Sequence, residues 1–122
     1  MLNRLDVHNS ETLNLQIGRQ DQKSYLIELG KDCTKLDLRV KCLENSFSKF
    51  FILNHAEKAC ELIINMVLKQ DANCQMGVLD LEKSPLKWNH YVDLQESGAE
   101  YEILSGQLCQ EHIEKVCDME VR

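Results

Sequence analysis

The chain has 122 residues, of which 43% are hydrophobic and 28% charged, and it carries a formal net charge of −6 at pH 7. This excludes a disordered tail and suits a single domain, 1–122, able to bury roughly 65% of its unfolded surface without covalent staples. No apolar run approaches the ~18 residues of a membrane span, and Arg4, Asp6 and His8 stand where a signal peptide needs an apolar stretch, so a cytoplasmic location is expected. The six cysteines, at 33, 42, 60, 74, 109 and 117, then read as reduced thiols, because no two are separated by the two residues of zinc and redox motifs.

In chain order, Leu13, Leu15 and Ile17 alternate with polar neighbours, the period-two signature of a half-buried strand ended at Gly18. A second strand follows at Gln22 to Leu29, turning at Gly30-Lys31-Asp32, and a third at Thr34 to Cys42, where Leu36, Leu38, Val40 and Cys42 alternate with charged residues. The short turns between them predict an antiparallel meander. Asn45 to Leu53 fits either a short helix or a buried strand, since Phe47, Phe50 and Phe51 sit at helical spacing inside an apolar run. Asn54, with Glu57 three residues on, resembles a helix cap, and Ala56, Cys60, Ile63, Ile64, Val67 and Leu68 follow at helical spacing to about Lys69.

Met76 to Glu82 reads as a strand broken at Ser84-Pro85, and Trp88 to Leu94 as a fifth strand. Tyr101 to Leu104 adds a short extended piece. Ser105 then caps a last helix, running to Glu120, with Leu108, Cys109, His112, Ile113, Val116 and Cys117 on one face. With no internal repeat found, the expected fold is an α+β two-layer sandwich in the order βββ-α(α)-ββ-α: a mostly antiparallel sheet of about five strands with two or three helices.

The charge is unevenly placed. Residues 1–89 hold twelve acids and twelve bases, whereas 90–122 hold eight acids against Lys115 and Arg122. Such asymmetry bears on partners and not on fold. A chain with no Lys/Arg cluster is a poor ligand for nucleic acid or anionic membrane, so neither is expected as a partner.

Signatures of chemistry are missing: the chain has no Walker loop, G-x-G-x-x-G, G-x-S-x-G, H-E-x-x-H or paired C-x-x-C. Cys109 and His112 have metal-binding atoms one turn apart on the expected last helix, but the same positions serve equally as its buried face, so no metal or cofactor is expected. His90 and Asp93, three apart on a strand, point to opposite faces, and Glu111 and Glu114 would disfavour a Cys109 thiolate. These residues give no reason to expect an enzyme.

Binding to protein remains. A basic partner would be steered onto Asp93, Glu96, Glu100, Glu102, Glu111 and Glu114, with Trp88, Tyr91 and Tyr101 as aromatic anchors; the plain alternative is a solvated face that keeps the domain soluble. Small acidic domains without catalytic motifs are of the physical type that neutralises a basic nuclease toxin, and an immunity-type inhibitor is the expectation. A homodimeric secretion chaperone is the second reading and a small enzyme without a recognisable motif the third, with monomer against homodimer left open.

Overall fold

Alternation of side chains decides this architecture. In a computed structural model, which describes residues 2–80, 86–95, 97–103 and 115–121, the chain forms ten strands: β1 (Leu2–Val7), β2 (Ser10–Ile17), β3 (Gln22–Leu29), β4 (Lys35–Cys42), β5 (Phe47–Asn54), β6 (Cys60–Leu68), β7 (Asn73–Asp80), β8 (Leu86–Leu94), β9 (Glu100–Ile103) and β10 (Lys115–Val121). Odd-numbered strands make one sheet, β1-β3-β5-β7-β9, and even-numbered strands make a second, β2-β4-β6-β8-β10. Every pairing between neighbours in either sheet is parallel. The chain therefore winds as a β-solenoid, two strands per coil, each coil stacked on the last at the ~4.8 Å spacing of paired strands.

This corrects the expected α+β sandwich. No helix occurs among the described residues, the sheets are parallel and not antiparallel, and the chain does contain a repeat. The short turns that read as hairpins are corners, each passing the chain to the opposite sheet, so a strand pairs with the strand two places on. The helix expected from Asn54 to Lys69 is the last residue of β5, the corner after it and β6, and of Asn45 to Leu53 all but Asn45 and Ser46 belong to strand β5. Of the helix expected from Ser105 to Glu120, residues 105–114 lie outside the described residues and Lys115 to Glu120 belong to β10.

The core fills the space between the sheets. Inward positions align from coil to coil, as in Leu13, Leu38, Ile64 and His90 of the second sheet or Leu5, Ile27, Ile52 and Val78 of the first. Burial deepens towards the middle coils: Leu38, Ile64, Ile27 and Ile52 are fully buried, while Leu5, Leu13 and Leu15 on the first coil are half-buried. Tyr25 and Phe50 stack face to face within one inward column, with centroids 5.1 Å apart and planes 5° off parallel. That stacking follows from parallel in-register strands, which place like positions directly over one another.

One corner carries the repeat most plainly. Gln20, Asn45, Asp71 and Gly98 all have positive φ, between 56° and 78°, at the same place in successive coils. Backbone bonds climb this corner from Gln20 N to Glu44 O, Asn45 N to Gln70 O and Asp71 N to Ser97 O, at 3.0 to 3.2 Å. Asn, Asp and Gly tolerate the left-handed region better than other residues, which suits three of the four positions. At Gly98 (φ 78°) an added Cβ would also collide with the Asp71 carboxylate. Gly98→Ala should therefore lower stability by about 1–2 kcal/mol in urea unfolding, and an unchanged midpoint would remove this role for the corner.

Candidate functional site

The two outer faces differ in chemistry. On the second sheet the outward residues are mixed and polar: Asn14, Arg39, Asn65 and Tyr91 align in one column, Gln16, Lys41, Val67 and Asp93 in the next. A shallow depression of about 410 Å³ lies over this face, but its Arg39 is already held by Asp37 through bonds of 3.0 and 3.3 Å. Among the described residues neither charge sign prevails there.

On the first sheet the outward face carries apolar side chains towards the strand ends, beside Asp6 and the Arg4–Glu28 ion pair of 2.8 Å, and two glutamates towards the strand starts. Leu26 and Phe51 share one outward column, and Leu53 and Leu79 the adjacent one. Phe51 is 40% and Leu79 46% exposed, Phe47 is 36% exposed, and Leu26 and Leu53 are half-buried. Scattered exposed hydrophobic residues are ordinary; several on one flat face mark a surface suited to contact with another apolar surface. Towards the strand starts the same face turns polar, with Phe47, Asn73 and Glu100 in one column and Lys49, Gln75 and Glu102 in the next. Gln75 Nε2 donates to Glu102 at 3.3 Å, and Lys49 Nζ stands 5.8 Å from the Phe47 ring centroid.

A cavity of about 430 Å³ opens at this acidic end, rimmed by Phe47, Asn73, Gln75, Glu100 and Glu102 and floored by Cys74, Leu94 and Tyr101. Behind the floor the Tyr101 hydroxyl and His90 Nε2 are hydrogen-bonded to each other, with the rings edge to face at 5.1 Å. Burial pushes the tyrosine up from its ordinary value and the histidine down to about 4, so both are neutral at pH 7. Cys74 is likewise pushed well up, first by its hydrogen bond to Cys42 and then by burial. A protonated thiol is a poor nucleophile, and this arrangement favours binding over covalent chemistry.

The residues expected to form one acidic surface are divided by the winding. Glu100 and Glu102 are exposed on the first sheet, whereas Trp88, Tyr91 and Asp93 lie on β8 in the second. Tyr91 and Asp93 edge a small depression with Asn65 and Val67. Tyr101 lies between two outward glutamates, so it points inward and pairs with His90; it is not an exposed anchor. Glu96, Glu111 and Glu114, together with Cys109 and His112, lie outside the described residues.

The apolar part of the face went unrecognised although its signal is present. Phe50-Phe51-Ile52-Leu53 is apolar without alternation, which in a strand means apolar side chains on both faces. The inner pair is core; the outer pair, Phe51 and Leu53, is the surface. No protein-family profile, curated protein or solved structure matches this chain, so any reading of its function rests on these residues alone.

Proposed function

We propose that the chain is a protein-binding domain that docks a basic partner on the outer face of the first sheet. The observation that carries this reading is the apolar surface of Leu26, Phe51, Leu53 and Leu79 on the same flat face as the acidic cavity of Glu100 and Glu102. An apolar centre beside a charged rim is the usual anatomy of a recognition surface. The acids steer a cationic partner and fix its register. Inhibition of a basic toxin, such as a nuclease, is the biological role this surface suits best. Against the expectation drawn from composition, Tyr91 and Asp93 are left out of the surface.

Peptides selected from a displayed random library against the 122-residue chain should combine aliphatic or aromatic residues with lysine or arginine. Glu100→Lys with Glu102→Lys should slow their association about tenfold at low salt, and Phe51→Asp should abolish binding while the chain stays folded. Asn65→Lys, on the second sheet, should change nothing. Selected peptides that bind all four chains alike would overturn the reading.

A further inference from the structure

Two cysteines that the binding surface does not use are in contact across adjacent coils. Cys33 lies in the corner between β3 and β4, and Cys60 opens β6 one coil later. Lys35 pairs with Glu61, so the strand register sets Thr34 beside Cys60 and Cys33 one step away. The two Sγ atoms are 3.8 Å apart.

Both thiols are buried, at 0% and 3% exposure, yet their chain neighbours are not. Asp32, Thr34, Glu57, Lys58 and Ala59 are all exposed, so the pair sits just beneath a corner. The corner is held by Cys33 N donating to Gly30 O at 3.0 Å, Thr34 N to Asn9 O at 3.2 Å and Glu61 N to Thr34 O at 2.9 Å. Opening it requires breaking a few bonds at the surface and not unwinding the core. The other thiol contact, Cys42 with Cys74, lies at the end of β4 and within β7, among buried residues of the core cluster.

We infer that Cys33 and Cys60 form a redox-modification site, closing to a disulfide that staples the second coil to the third when a small-molecule disulfide of the glutathione type is present. In the first step the Cys33 thiolate attacks one sulfur of the oxidant, whose S–S bond breaks and releases one thiolate. In the second, the Cys60 thiolate attacks the Cys33 sulfur of that mixed disulfide and expels the other half of the oxidant. Two protein thiols are oxidised, one disulfide is reduced to two thiols, and the two protons pass to the departing thiolates. The order of attack follows the contact between the two sulfurs, which eases ionisation of Cys33 and opposes that of Cys60. Burial, and to a smaller degree nearby Glu11, oppose the Cys33 thiolate.

The test is native oxidation of the full chain by glutathione disulfide, followed by intact mass and tryptic mapping under non-reducing conditions. The expected product has lost two hydrogens, yields the 32–35 peptide joined to the 59–69 peptide, and melts roughly 10 °C above the reduced chain. Cys60→Ala should remove the joined peptide and leave a glutathione adduct on Cys33, whereas Cys42→Ala should leave the joined peptide in place. Should Cys60→Ala not fold, Cys33→Ser is the second variant and should equally abolish the product. Thiols that all stay free, a cross-link of Cys60 to any other cysteine, or glutathione adducts without the joined peptide would each overturn the assignment.

Discussion

Phe50→Ala should destabilise the chain by about 3–5 kcal/mol, whereas Phe51→Ala, one residue on, should cost about 1 kcal/mol or less. Phe50 is fully buried and stacks on Tyr25, so truncation leaves a cavity in the middle of an inward column. Phe51 is 40% exposed on the outer face and leaves no cavity behind. Because domains are typically stable by only 5–15 kcal/mol, the first change removes about a fifth or more of the total. In a solenoid each coil rests only on its neighbours, so weakening the third coil also loosens the second and fourth. Urea unfolding of the two variants beside the parent chain is the measurement. Equal losses would show that the β5 register is wrong, and with it the assignment of Phe51 to a docking face.

The same alternation shows how much of this fold was legible. Period-two runs located β2, β3, β4 and β8 to within a few residues, because those strands bury one face and wet the other. Strand β6 was misread because Ile63 and Val67, both outward, completed a helical spacing with Cys60, Ile64 and Leu68; the unbroken set Cys60, Leu62, Ile64, Met66 and Leu68 is the one that packs. Direction was hidden more deeply. A corner of a few residues looks the same whether the chain turns back along its own sheet or crosses to the facing one, and only side chains matched a full coil apart distinguish the two. That match was disguised by its residues: Gln20, Asn45, Asp71 and Gly98 hold one conformation with four different side chains, at separations that grow along the chain.

For the site, composition located the acids but could not assign them to faces. Once β9 is a strand, Glu100 and Glu102 both outward force Tyr101 inward, so its place was implied by parity alone. The separation of Asp93 from Glu100 was not implied, because it depends on the chain changing sheets between β8 and β9. A charge count along a solenoid sums two surfaces that face away from each other, and among the described residues the exposed large apolar side chains lie on the first sheet.

Acidification should weaken the fold through His90, and the sign follows from its burial. The histidine is 1% exposed and is held neutral, its proton affinity lowered from the ordinary 6.5 to about 4. Between those two values the unfolded chain takes up a proton that the folded chain refuses, so stability is full above about pH 6.5 and falls as pH drops towards 4. Below that both states are protonated and the slope from this group ends. The loss attributable to His90 is roughly 3 kcal/mol. Carboxylates add their own acid dependence, so the measurement is the difference between the parent chain and His90→Leu, each unfolded in urea at pH 7, 5.5 and 4. Leucine suits a column that already holds Leu13, Leu38 and Ile64, and the lost bond to Tyr101 gives an offset that does not vary over this range. The variant should fall less steeply than the parent between pH 6.5 and 4. Parallel slopes would mean that His90 takes up its proton as readily in the fold as in the unfolded chain, and the neutral floor assigned to the acidic cavity would be lost with it.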